Sequence, residues 1–94
     1  MHARAVRFTD VTPERIAEIK ERIGSEDGPP PGVDSTAMKL LFDESQSTAI
    51  FIGFFDSEDK MRAAGEVLAN MDASEVPGSR DSVDECEVVI EREA

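Results

Sequence analysis

The chain has 94 residues and a mass of 10.3 kDa, the size of a single domain. Its 21 Asp and Glu against 10 Lys and Arg give a formal net charge of -11, which is a poor match for nucleic acid, whose phosphates need clustered cations. No apolar run approaches the roughly 18 residues of a membrane span. The opening MHARAVRF lacks the apolar core of a signal peptide, and the single Cys86 excludes an internal disulfide or a multi-cysteine metal site. The expectation is one acidic, cytoplasmic domain over residues 1–94, with no metal, cofactor, nucleic acid or membrane partner.

Ala3 to Thr9 has the bulk of a strand, with Val6 and Phe8 on one side and Ala5 and Arg7 on the other. Thr12 can cap a helix whose first position takes Pro13, where a missing N–H costs nothing. Glu14 then suits the positive end of the helix dipole. Ile16, Ala17, Ile19 and Ile23 recur at helical spacing opposite Glu14, Glu18, Glu21 and Arg22, so the spacing predicts a helix over 13–24, stopped by Gly24. Residues 25–34 hold three consecutive prolines between two glycines and read as a stiff surface loop. The same PPPG stretch is the kind of segment that SH3 or WW grooves accept.

Two apolar runs follow, Thr36 to Phe42 and Thr48 to Phe55, joined by Asp43–Ser47 as an antiparallel hairpin. The second, TAIFIGFF, reads as a strand buried on both faces. Gly53 within it marks a bulge or a close backbone approach. Asp56 or Ser57 caps a second helix, and Met61, Ala64, Val67, Leu68 and Met71 form its apolar stripe. After a loop with Pro77-Gly78, Val83 to Glu91 reads as the last strand, with Cys86, Val88 and Ile90 alternating with Glu85, Glu87 and Glu91. The order β-α-β-β-α-β is the split βαβ, ferredoxin-like arrangement: an α+β fold with two helices on one face of a four-stranded antiparallel sheet.

Such a sheet leaves its other face open. In the third strand, Ile50, Ile52 and Phe54 form one apolar set, while Ala49, Phe51 and Phe55 form another, and two helices cover only one. Several hundred Å2 of apolar surface in water, at about 25 cal/mol per Å2, favours a homodimer with the open faces packed together.

On these residues the chain resembles the antibiotic biosynthesis monooxygenase-like domains of the dimeric α+β barrel superfamily. The resemblance covers most of the chain. It rests on HARAVRFTDVTPERIAEI, on MKLLFDESQSTAIFIGFFDSEDKMRAA and on VDECEVVIE. Family members read Trp-x-Ser-x-Glu-x-x-x-Ala after the third strand, and here Phe55 takes the aromatic position, followed by Ser57 and Glu58. The resemblance implies a dimeric α+β barrel, and for enzymes of the superfamily either cofactor-free oxygenation of polycyclic aromatics or haem degradation. Their sites use Asn, Trp, His, Tyr or Arg. This chain has no Trp or Tyr, its one Asn is Asn70 at the far end of the second helix, and its one His is His2.

The candidate site residues follow from chemistry. His2 is the candidate general base or haem ligand, since imidazole titrates near neutrality and binds iron; the plain alternative is a frayed terminal residue. Cys86 reads as a buried structural thiol, and Glu85, Glu87 and Glu91 as a solvated face. Arg7 and Lys39 sit among apolar neighbours on the face assigned away from the helices, together with Phe51, Phe55 and Glu87. There they would anchor an anionic or quinone-like molecule, or else pair with glutamates. A single bulge would reverse the parity and bring in Arg4 and Arg92 instead.

The reading that follows is a small dimeric α+β barrel protein binding a small hydrophobic or aromatic ligand between its two sheets. A cofactor-independent monooxygenase acting on a quinol-like aromatic is the alternative, and a partner-interaction module using the PPPG loop is a third.

Overall fold

The computed structural model describes residues 1–25, 32–70 and 76–93. Within them the order is β1 (His2–Thr9), α1 (Pro13–Ser25), β2 (Ala37–Asp43), a short 3-10 turn (Glu44–Gln46), β3 (Thr48–Phe55), α2 (Glu58–Ala69) and β4 (Ser79–Glu87). The strands form one antiparallel sheet in the order β2-β3-β1-β4, the ferredoxin-like topology. β1 and β3 are central, while β2 and β4 are the edges.

Local chemistry explains most boundaries. The Thr12 hydroxyl accepts the Arg15 backbone N–H (3.1 Å), and the Ser57 hydroxyl accepts that of Lys60 (3.2 Å), so each helix has a side-chain cap. At the hairpin, the Asp43 carboxylate accepts the Ser45 hydroxyl (2.6 Å) and the Gln46 amide (2.7 Å), and Ser47 turns the chain in the left-handed region (φ 53°). The Val11 backbone N–H donates to the Ser47 carbonyl (2.9 Å), which ties the exit of β1 to that turn.

The core lies between the sheet and the helices. Val6, Phe8, Val11 and Ala49 form one buried group with Ile16, Leu40, Phe42 and Phe51 against it, and Phe55, Met61 and Ala64 form a second with Val33. α1 buries Ile19, with Ile16 and Ile23 half-buried; Ala17, expected in its stripe, faces solvent. In α2, Met61 and Ala64 are buried and Val67 and Leu68 half-buried, whereas Met71 lies outside the described residues. So do the three prolines of the PPPG segment.

α1 runs one residue further than expected and β2 is shifted by one, to Ala37–Asp43; the ends of β1 and β4 differ with more consequence. β1 takes in His2, so this residue is no frayed terminus but a half-buried strand position. β4 runs over Ser79–Glu87 rather than 83–91, because its partner strand fixes where it can pair. Its ladder carries a bulge: Arg7 faces Ser82 and Phe8 faces Arg80, leaving Asp81 as the extra residue. Gly78 precedes this strand in a place where a Cβ would lie 2.3 Å from the Thr9 carbonyl oxygen. Only a bare backbone fits there.

Candidate functional site

Register decides which residues meet. β1 pairs with β3 so that Val6 faces Phe51 and Arg7 faces Ile50, and β2 pairs with β3 so that Leu40 faces Phe51 and Lys39 faces Ile52. Directly opposed residues share a sheet face. Arg7, Lys39, Ile50, Ile52 and Phe54 therefore lie on the open face, while Arg4, Val6, Phe8, Phe51 and Phe55 lie toward the helices.

The four expected ligand-binding residues are thus divided. Arg7 and Lys39 are on the open face as expected; Phe51 and Phe55 are on the other side, with Phe55 only 1% exposed. The reason is the bulky pair Val6 and Phe8, which takes the helix side of β1 and, through the register, draws Phe51 and Phe55 with it. Arg7 is also committed: its Nη1 donates to Asp81 Oδ2 at 2.8 Å, closing an ion pair at the bulge. Lys39 stays exposed on edge strand β2.

The basic residue beside the phenylalanines is Arg4. It is 5% exposed, and its Nε has no hydrogen-bond partner among the described residues. Two glycines flank it, one opposite it on the sheet and one above it on the helix. Gly53 lies opposite Arg4 on β3, and a Cβ there would touch the Phe55 ring at 3.2 Å. Gly53 is thus the close approach expected from sequence, with no bulge in either ladder of β3. On α2, a Cβ at Gly65 would lie 3.3 Å from Arg4 Nε and 3.2 Å from Glu85 Oε2. Burial pushes the Arg4 guanidinium below its ordinary pKa, the nearby Arg80 pushes the same way, and Glu85 opposes both.

The cross-strand partners extend this cluster. Arg4 faces Glu85 on β4, and His2 faces both Glu87 on β4 and Phe55 on β3. His2, Arg4, Glu85, Glu87 and Phe55 therefore gather at one end of the sheet, on the side that α2 covers. Glu85 and Glu87 alternate along β4 as expected, while Glu91 falls beyond the strand. Among the described residues no group of three or more His, Cys, Asp or Glu is disposed to hold a metal ion. Cys86, expected to be buried, is exposed. It faces Ala3 on the open side of an edge strand, where the chain itself supplies no cover.

Chemically, the arrangement offers one buried guanidinium Nε without a hydrogen-bond partner among the described residues, on the sheet face it shares with Phe51 and Phe55 and with the Glu85 carboxylate nearby. A buried unsatisfied donor costs about 1–3 kcal/mol, and such groups in folded proteins commonly answer to a ligand or a bound water. Arg4 was visible in the sequence only as the alternative under reversed parity. Its signal was the pairing of Arg with small residues, Ala3 and Ala5, beside the bulky Val6.

No family model matches the chain, and no protein of curated function does. Among solved structures it is similar to an arginine-to-serine variant of MhuD, crystallised with two manganese protoporphyrin IX molecules bound per active site. The TM-score is 0.62 at 13% identity, over 98% of this chain and 99% of that one. At that identity the likeness shows the fold alone, and that fold is the one the family resemblance implies.

Proposed function

We propose that this protein is a homodimeric α+β barrel that binds a small aromatic anion on the helix side of each sheet. The observation that carries the reading is the buried Arg4 guanidinium, whose Nε lacks a partner while Phe51 and Phe55 share its face. Arg4 takes the anchoring role first assigned to Arg7 and Lys39; Phe51 and Phe55 keep theirs. The open face then serves assembly rather than ligand binding, since Ile50, Ile52 and Phe54 would meet their copies across a barrel interior about 10 Å thick. MhuD with bound porphyrin supports a ligand-binding use of this fold, since a porphyrin is an aromatic with carboxylates.

A titration with 1-anilinonaphthalene-8-sulfonate, an aromatic anion that fluoresces in apolar sites, tests the reading. The neutral N-phenyl-1-naphthylamine serves as control. Saturable binding of the anion that is lost in Arg4→Met, with the neutral probe less affected, is the expected result. Equal binding of both probes by both proteins contradicts it. Oxygen consumption on adding menadiol would extend the same site to the monooxygenase reading.

A further inference from the structure

Glu85 is the carboxylate that stands beside the unpaired Arg4. The two are opposed across the β1–β4 ladder, so both lie on the side that α2 covers. Glu85 Oε2 and Arg4 Nε come within 3.2 and 3.3 Å of one point, the place that a Cβ on Gly65 would occupy. Yet Arg4 Nε has no hydrogen-bond partner among the described residues, so Glu85 does not satisfy it. Glu85 itself is exposed on edge strand β4, where water serves it and the fold does not need Arg4 to do so.

We infer that Glu85 determines which aromatic anion reaches Arg4: one that carries a hydrogen-bond donor, hydroxyl or amine, beside its anionic group. The inference rests on the aromatic-anion site proposed above and names its ligand more narrowly. An anionic group that pairs with Arg4 arrives next to the Glu85 carboxylate, and two like charges so close repel. Glu87, opposite His2 on the same face, adds to that repulsion. A donor on the neighbouring ligand atom removes the conflict. It gives Glu85 Oε2 a hydrogen bond to accept while the anionic group accepts one from Arg4 Nε, so each protein group meets its complement. An analogue without the donor leaves the carboxylate unpaired beside the ligand's own charge, which makes the selection strong. Gly65 keeps this meeting point clear, since any side chain there would begin against both groups.

The test follows the fluorescence of naphthylpropionate, naphthyl-lactate and naphthylalanine on binding: one ring and one carboxylate, with hydrogen, hydroxyl or ammonium on the adjoining carbon. The full chain is expected to bind at least one of the two donor-bearing probes about tenfold or more tightly than naphthylpropionate. Which of the two binds better tells hydroxyl from amine. Glu85→Met, at an exposed strand position, is expected to cut the preference to about twofold or less, with naphthylpropionate binding more tightly than it does to the parent chain. Glu85→Gln keeps an acceptor without the charge and is expected to retain the preference for naphthyl-lactate over naphthylpropionate in part. Similar affinities for all three probes in the parent chain, each lost in Arg4→Met, would overturn the role of Glu85 and leave the Arg4 site standing. So would a preference that survives Glu85→Met. Binding of none of the three by the parent chain, or equal binding by the parent chain and Arg4→Met, would overturn the site itself.

Discussion

Gly65 of α2 stands directly over Arg4 of β1, close enough that a methyl group on the glycine would come within 3.3 Å of the guanidinium Nε. The contact places a bare turn of helix against the one buried side-chain polar atom without a partner among the described residues. Such an arrangement is not explained by stability, because an unpaired buried donor weakens a fold. Replacing Arg4 by Met keeps the stem's packing and removes that donor together with its charge. Arg4→Met is expected to raise stability by about 1 kcal/mol in urea denaturation at fixed protein concentration. A loss of stability would mean that the guanidinium is held by the fold rather than awaiting a ligand.

Phe54 and Phe55 are neighbours with opposite surroundings, one on the open face and one 1% exposed beneath α2. Phe55→Ala is expected to cost about 3–5 kcal/mol of folding stability, as for other buried aromatics. Phe54→Ala is expected to leave the fold of each copy intact and instead weaken association. Paired denaturation and sedimentation measurements separate the two effects.

How much of this could be read from the sequence depends on which contacts are local. The caps at Thr12 and Ser57, the hairpin over Asp43–Ser47 and the bounds of β3 at Thr48 and Phe55 are set by neighbours in the chain, and all were legible. The parity of Phe51 and Phe55 was not. It follows from the register between β1 and β3, whose residues lie some forty-five positions apart, and from the fact that Val6 and Phe8 outweigh Ala5 and Arg7 in the contest for the core. The end of β4 was misplaced for a related reason. Val88 and Ile90 have strand character, but a strand ends where its ladder does, and the ladder with β1 runs no further than Glu87 opposite His2. The exposure of Cys86 follows from β4 being an edge, which only the strand order reveals.

Gly78 is a site where space alone forbids a side chain. A Cβ would lie 2.3 Å from the Thr9 carbonyl oxygen and 2.9 Å from Val11 Cγ2, and neither the backbone nor the buried valine can withdraw cheaply. Gly78→Ala is expected to destabilise the fold by about 2 kcal/mol or more, through displacement of β4 from the exit of β1. A thermal midpoint equal to that of the parent chain would contradict the close approach.

The Asp43 turn makes a pH-dependent contribution. Hydrogen bonds from Ser45 and then Gln46 hold its carboxyl below the usual aspartate range. The native state therefore binds fewer protons at this group than the unfolded chain does. The stabilisation is fully present above the unfolded pKa of about 3.9 and is lost as pH falls through the lower folded value. Asp43→Asn is expected to flatten the acid limb of the stability profile below about pH 5 relative to the parent chain and to leave the neutral limb parallel. An unaltered acid limb would show that the turn is not held by the ionised carboxylate.

The most direct measurement of the proposed function is a proton–nitrogen correlation spectrum that includes the arginine Nε–H signals, recorded as 1-anilinonaphthalene-8-sulfonate is added. The account predicts that the Arg4 Nε–H and the Gly53 and Gly65 amides move together, while the amides of Ile50 and Ile52 stay near their starting positions. Movement confined to Ile50, Ile52 and Phe54 would put the ligand between the sheets and contradict the assignment of the site to Arg4.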